Sequence, residues 1–139
     1  MLLSPDIIAA LAAAAAAFIV GFLWHGPLFG KLWMTLMNIP QAEADAAKAK
    51  GPSGMAPQLV CSFLQQLVVA FVFAHLMNGF GITEMAKAIM LAVILWFGFI
   101  ATTLLNTVLW EKRPPSLYIL NIGYHLTALV TIAIVLTLL

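Results

Sequence analysis

Polar side chains inside long apolar stretches are the residues of this chain that could do chemistry. His25 lies at the end of one such stretch, Asn106 lies near the end of another, and Asn121 and His125 lie four residues apart in the last. A helix rises about 1.5 Å per residue, so His125 lies about 6 Å deeper than Asn121 on the same face. Histidine changes charge near neutral pH, so this group could bind a ligand or pass a proton. The same residues could instead form a hydrogen-bond network that only fixes helix packing.

The candidate ligand-binding set includes the aromatic neighbours of these histidines. Polar groups at membrane depth face the bundle interior rather than lipid, so we expect the helices to bring the set together near one membrane surface. The set is His25, Asn106, Asn121, His125, Tyr124 and Trp24. Gln65 and Gln66 lie in the second apolar stretch, and we expect at least one of them to face the bundle interior.

No familiar catalytic or metal-binding pattern accompanies these residues. The apolar stretches contain no carboxylate, and the chain has no serine–histidine–acid set and no glycine-rich phosphate loop. Its three histidines at separate depths and its one cysteine are not a typical metal ligand set. We therefore predict no catalytic residue, no metal and no cofactor. An intramembrane enzyme is the function with least support.

The elements that must position the polar residues are membrane-spanning helices. The 139-residue chain is 64% hydrophobic and 8% charged, with a formal net charge of +1, whereas soluble domains have about 25% charged residues. This composition excludes an ordinary soluble fold, a disordered chain and a nucleic-acid-binding protein with a basic face. Residues 7–30, 51–83, 88–110 and 114–139 carry no formal charge. Each stretch exceeds the about 20 residues that one crossing needs.

We therefore predict an all-α fold, an integral membrane four-helix bundle that forms a single transmembrane domain over residues 1–139. The predicted helices cover roughly 5–25, 57–77, 84–110 and 116–138. The first stretch has no basic start and no small-residue cleavage site, so we expect a retained helix rather than a signal peptide.

The first loop is predicted to contain further helical structure. Gly26-Pro27 are expected to end the first helix. The apolar residues of segment 28–38 share one helical face, which predicts a short interfacial amphipathic helix anchored by Phe29, Lys31 and Trp33. The alanine-rich segment 40–50 has its acidic residues early and its basic residues late, an order that suits the helix dipole.

The basic residues of the loops predict the orientation of the chain. The side that holds loops 1–2 and 3–4 has Lys31, Lys48, Lys50, Lys112 and Arg113, whereas the other side has only Lys87, near the start of the third helix. This positive-inside bias places loops 1–2 and 3–4 in the cytoplasm and both termini outside. We expect a multi-pass protein of the bacterial inner membrane.

A stripe of small residues on the first helix suggests close packing. Ala9, Ala13, Ala17 and Gly21 are four residues apart, so another helix of the same chain or of a second copy can approach closely. The leading prediction is a structural, accessory or self-associating subunit, a homo-oligomer or part of a larger membrane complex, that contacts membrane lipids and no nucleic acid. The alternative is a transporter or a small-molecule or lipid-binding protein that uses a polar cluster in the cytoplasmic-side half of the bundle.

Several motifs resemble those of a bacterial membrane family, domain-of-unknown-function family 1761. The segment Gly21 to Met34 is similar to the family pattern of Gly, Trp with an aromatic residue, Pro-Leu, Phe-Gly-Lys and Trp. Three later segments also resemble the family: Trp96 to Phe99, Asn106 with Trp110-Glu111, and Asn121 to His125. His25 stands where the family pattern has tyrosine, which favours a shared hydrogen-bonding or interfacial role. The resemblance implies four helices in a membrane and implies no reaction.

Overall fold

Helices form all the regular structure that the computed structural model describes, which covers residues 6–139 without the side chains of residues 52 and 53. Four helical segments are long and apolar enough to cross a membrane, and we call them the first to fourth spans: Ile7–Leu28, Ala56–Phe80, Met85–Leu109 and Pro115–Leu138. The prediction of an all-α membrane bundle is confirmed. The predicted start of the first helix, at residue 5, lies outside the described residues.

The first span begins with a capped helix and ends in a widened turn. Helix α1 covers Ile7–Leu23, and the Asp6 carboxylate accepts hydrogen bonds from the backbone N–H groups of Ile8 and Ala9 at 2.9 and 3.3 Å. The chain then continues through a π-helical turn, Trp24–Leu28, instead of ending at Gly26-Pro27 as expected. In a regular α-helix the Pro27 ring would collide with the carbonyl four residues earlier, and the wider turn relieves this clash.

Two helices connect the first and second spans. Helix α2 covers Gly30–Leu36 and is shorter than the predicted 28–38, because Leu28 belongs to the widened turn and Asn38 adopts a left-handed φ of 57°. Helix α3 covers Gln41–Gly54 and is kinked at Gly51, where φ is 71° and ψ is −171°. This backbone conformation is essentially restricted to glycine.

The second span is the single helix α4, Ala56–Phe80. Gly81 follows it in a left-handed conformation, and the Ile82 N–H donates to the Met77 carbonyl at 2.9 Å. This is a Schellman cap, which satisfies the last carbonyls of the helix. The helix therefore runs past the predicted end at residue 77, because the cap forms at the second glycine of Gly79-Phe80-Gly81.

The third span is interrupted, whereas one continuous helix over 84–110 was predicted. It consists of α5 (Met85–Leu95), a π-helical segment (Trp96–Ala101), α6 (Thr102–Leu104) and α7 (Asn106–Leu109).

Side-chain hydroxyls bond to backbone carbonyls at the interruptions of the third span. Thr102 Oγ1 donates to the Gly98 carbonyl at 2.7 Å, and Thr107 Oγ1 donates to the Leu104 carbonyl at 2.8 Å. Tyr118, from the fourth span, donates to the Ala101 carbonyl at 2.5 Å. Such bonds compete with the backbone ladder and bend or widen helices.

The spans pack around a core of small side chains. The fourth span is the helix α8, Pro115–Leu138. The first span packs against both the second and the fourth spans, and the third span packs against the fourth. The stripe residues Ala9, Ala13 and Ala17 are buried in these contacts. Many core positions are alanines, so the helix axes can approach closely: Ala10, Ala13, Ala14, Ala17, Ala70, Ala88, Ala92, Ala128 and Ala133.

Candidate ligand-binding site

Four of the six predicted ligand-binding residues form one aromatic cluster. The Tyr124 ring contacts the His25 ring and the His125 ring, each with centroids 4.9 Å apart. The centroid of the Trp24 ring lies 6.4 Å from that of Tyr124 and 4.7 Å from that of Phe29. The first and fourth spans therefore meet through Tyr124, and the widened turn at the end of the first span supplies both Trp24 and His25.

A backbone hydrogen bond fixes the ring of His25. Its Nδ1 lies 3.2 Å from the Gly21 carbonyl oxygen, one turn earlier in the same span. A carbonyl oxygen can only accept, so Nδ1 carries the hydrogen and Nε2 of the neutral ring is a hydrogen-bond acceptor. His25 also contacts the Trp33 ring of α2 at 5.7 Å. The imidazole is therefore held between the first span, α2 and Tyr124.

Gln66 and Tyr124 connect the second and fourth spans. Gln66 is 7% exposed, and its Nε2 donates to the Tyr124 hydroxyl at 2.8 Å. The prediction that one of the two glutamines faces the bundle interior is confirmed. The hydroxyl reaches this position because residue 21 is glycine: a Cβ there would lie 3.0 Å from the tyrosine oxygen. Since this bond uses the oxygen as acceptor, the Tyr124 O–H remains a free donor within the described residues.

A cavity of about 640 Å³ opens between the first span, α3 and the second span. Volumes of this order are typical of small-molecule sites, which combine apolar walls with a few polar groups. The lining combines aromatic, aliphatic and polar residues: Phe18, Gly21, Phe22, His25, Gly26, Ala47, Lys48, Gly51, Met55, Leu59, Ser62, Gln65, Gln66 and Tyr124. Of the six predicted ligand-binding residues, His25 and Tyr124 line this cavity.

Gln65 is an exposed polar residue of this lining that lies within a membrane-spanning helix. It lies in the second span nine residues after Ala56, which corresponds to roughly 14 Å along the helix. Its amide makes no hydrogen bond within the described residues, in contrast to the amide of Gln66. An amide without a partner at membrane depth costs several kcal/mol, on the order of a lost hydrogen bond in hydrocarbon.

The structure separates the two predicted asparagines from the cavity. Asn106 is exposed at the start of α7, and Asn121 is half-buried on the fourth span; neither lines the cavity. Trp24 and His125 contact Tyr124 in the aromatic cluster and also lie outside the lining. The indole N–H of Trp24 is buried without a partner among the described residues.

Sequence reasoning did not place Lys48, Ser62 or the two glutamines in a ligand site. The glutamines were recognisable as polar residues in an apolar span, but no sequence signal shows which face of the helix meets a cavity. Lys48 belongs to a charged loop segment, and only the folding of α3 brings it to the cavity. Across residues 6–139, no three His, Cys, Asp or Glu side chains are grouped so that they could hold a metal ion.

Four apolar spans and a partly polar cavity at one end define a small multi-pass membrane protein. The chain belongs to the family described as protein of unknown function, DUF1761, whose family model matches residues 8–137. The resemblance of its motifs to this family is thereby confirmed. Comparison with curated proteins and with solved structures gives no match.

Proposed function

We propose that this protein binds an amphiphilic small molecule of the membrane in the cavity between the first span, α3 and the second span. The observation that supports this function is the cavity of about 640 Å³ whose lining contains Gln65, an amide with no partner inside a membrane-spanning helix. A ligand with a polar head satisfies this amide, and a polar group of a membrane protein is not left facing lipid.

The rest of the lining supports an amphiphile rather than a fully polar ligand. Phe18, Phe22 and Leu59 offer apolar surface to a hydrocarbon part. His25 and Tyr124 offer fixed hydrogen-bonding groups to a polar part, since both rings are held by neighbouring spans. Few polar groups in a mostly apolar cavity are what fixes the orientation of a small ligand.

The experiment is a cavity-filling substitution with a neighbouring control. Leu59→Trp fills the cavity, whereas Val60→Trp changes the next residue, which is 57% exposed and does not line the cavity. Native mass spectrometry in neutral detergent micelles measures binding of two added probes with the same acyl chain, monooleoylglycerol and oleoyl lysophosphatidic acid. We expect the wild-type protein and Val60→Trp to bind at least one probe, and Leu59→Trp to bind about tenfold less.

Two results of this experiment contradict the proposal. In one, the wild-type protein retains neither probe. In the other, Leu59→Trp and Val60→Trp bind as the wild type does, so that bound molecules occupy the lipid-facing surface instead. Thermal unfolding of both variants in the same micelles separates lost binding from lost folding, because a tryptophan that only fills the cavity leaves the midpoint close to that of the wild type.

We further propose that the protein lies in the bacterial inner membrane, with loops 1–2 and 3–4 in the cytoplasm and both termini outside. The basic residues of these two loops support this orientation, because short cytoplasmic loops are rich in lysine and arginine. The cavity then opens near the cytoplasmic surface, since α3 belongs to loop 1–2 and contributes Ala47, Lys48 and Gly51 to its lining.

A structural or self-associating subunit is the second candidate. The observation that favours it is the exposed apolar surface of the third span, where Met90, Ile94 and Phe97 are 61%, 59% and 65% exposed. Lipid covers such a surface as well as a partner helix does, so the surface does not require a second copy. The small-residue stripe that suggested self-association is used for packing within the chain. The cavity therefore gives the ligand-binding function the stronger support.

A further inference from the structure

We infer that the ligand of this cavity is an anionic amphiphile, with a carboxylate or phosphate head paired to Lys48 and an acyl chain against the apolar lining. This inference rests on the proposed function and narrows it to one chemical class. The charge of the residues that line the cavity supports it, independently of the cavity volume.

The charge of the lining has one sign. Lys48 is the only formally charged residue among the described residues that line the cavity, and no aspartate or glutamate lines it. The nearest acidic residues along the chain, Glu43 and Asp45, lie earlier in α3, and the Asp45 carboxylate accepts a hydrogen bond from Gln41 Nε2 at 3.0 Å. The ammonium group of Lys48 therefore meets no carboxylate in the cavity, and a bound anion can supply its counter-charge.

Two neutral groups of the lining, the Tyr124 hydroxyl and the Gln65 amide, offer donors to an acceptor-rich head. The Tyr124 oxygen already accepts from Gln66, so its O–H is free to donate. The Gln65 amide offers two N–H donors that no other described residue uses. Carboxylate and phosphate oxygens accept several hydrogen bonds at once, and such charge-assisted bonds are about twice as strong as neutral ones.

The kinked helix α3 places Lys48, a residue of loop 1–2, in the lining of this site. Gly51 lines the cavity and holds the glycine-specific backbone angles at which α3 bends. Lys48 lies three residues earlier, about one helical turn. A lysine at this membrane surface can keep its methylene stem on apolar side chains while its ammonium group meets an anionic head, an arrangement that favours a lipid-like anion over a fully soluble one.

The test compares probes that share an acyl chain and differ in the head. Native mass spectrometry or fluorescence displacement measures the affinity of oleate, oleoyl lysophosphatidic acid and the uncharged monooleoylglycerol for the wild-type protein in neutral micelles. We expect the two anions to bind at least about fivefold more tightly than monooleoylglycerol, the ratio that corresponds to about 1 kcal/mol. Inorganic phosphate, a head without a chain, is expected not to compete with them.

Charge-changing variants assign the preference to Lys48. Lys48→Gln is expected to lower the affinity for both anions about fivefold more than it lowers the affinity for monooleoylglycerol. Lys48→Arg keeps the charge and is expected to keep the preference. The matched control is Lys31→Gln, which removes the same charge from the same loop at a residue outside the lining. Circular dichroism checks that each variant is folded.

Three outcomes overturn the inference and differ from a failure of the proposed function. Equal binding of charged and uncharged probes, with Leu59→Trp abolishing both, leaves a cavity that binds amphiphiles without regard to charge. An equal loss with Lys31→Gln and Lys48→Gln shows a diffuse surface charge instead of a site. Competition by inorganic phosphate shows an anion site that does not need the acyl chain. If no probe binds at all, the proposed function itself fails.

Discussion

At the scale of single residues, Tyr124 organises the candidate site. Its ring contacts both His25 and His125, its hydroxyl accepts from Gln66, and it lines the cavity. One side chain of the fourth span thus holds groups from the first and second spans. Gly21 makes this possible, because any larger residue would meet the tyrosine oxygen. A substitution at Tyr124 should therefore change both the stability of the bundle and the shape of the cavity.

A double-mutant cycle tests the bond between the second and fourth spans. Tyr124→Phe removes the acceptor of Gln66 Nε2 and leaves a buried amide unpaired, so we expect a loss of about 1 kcal/mol in the free energy of unfolding. Gln66→Leu should cost a similar amount or less. The double variant should be less destabilised than the sum of the two single variants by about 0.5–1.5 kcal/mol. Titration with sodium dodecyl sulfate in mixed micelles measures these values, and strict additivity would show that the bond contributes nothing.

At the scale of elements, widened helical turns mark the first and third spans. The turn Trp24–Leu28 supplies two aromatic residues of the candidate site, and the segment Trp96–Ala101 faces the fourth span. Such segments are frequent at functional sites, because they redirect side chains without ending the helix. In the third span, the indole N–H of Trp96 donates to the Ile122 carbonyl of the fourth span at 2.7 Å. This bond fixes the widened segment to its neighbour.

Trp96 of the third span and Trp110, which directly follows that span, provide a matched pair of variants. Trp96→Phe removes the bond to Ile122, and we expect a loss of about 1 kcal/mol in the free energy of unfolding. Trp110→Phe makes the same chemical change at a residue that is 80% exposed, and we expect a change below about 0.5 kcal/mol. The same detergent titration measures both variants. Equal effects would mean that the hydrogen bond does not hold the third span against the fourth.

At the scale of the whole molecule, four spans enclose a core that is made largely of alanine. If all four spans cross, the even number of crossings puts residues 6 and 139 on one side of the membrane and both longer loops on the other. The first span is central, because it packs against the second and fourth spans, while the third span lies beyond the fourth. The candidate cavity lies at the loop 1–2 end of this arrangement, where α3 contributes to its lining.

Cysteine labelling tests the crossings and the orientation separately. In a Cys61→Ala background, which removes the only cysteine of the chain, single cysteines replace Ala46, Lys87 or Arg113. We expect a membrane-impermeant maleimide to label Lys87→Cys in intact cells with a permeable outer membrane, and to label Ala46→Cys and Arg113→Cys only after lysis. Labelling of Ala46→Cys and Arg113→Cys from different sides would contradict four crossings. Labelling of both from outside would contradict only the orientation.

The parts of the fold that follow from local chemistry could be predicted. Apolar stretches free of charge predicted four spans, because a helix of about 20 mostly apolar residues is long enough to cross a bilayer. The interruptions of the third span could not be predicted, because local sequence does not show contacts from other helices, such as the bond from Tyr118 of the fourth span to the Ala101 carbonyl. The continuation of the first span past Pro27 was missed for a different reason: Gly-Pro ordinarily ends an α-helix, whereas here the chain widens into a π-helical turn in which the Phe29 N–H bonds to the Trp24 carbonyl.

The sequence by itself determined that this protein is a four-span helical membrane protein, because hydrocarbon demands long apolar helices whatever their neighbours are. It also identified His25, Tyr124, His125 and Trp24 as residues that could meet. Only the tertiary structure decided which polar residues share a cavity: it brought in Lys48, Gln65 and Gln66 and left Asn106 and Asn121 outside the lining. The physical reason is that depth in the membrane follows from position along one helix, whereas the direction in which a side chain points relative to other helices depends on their packing.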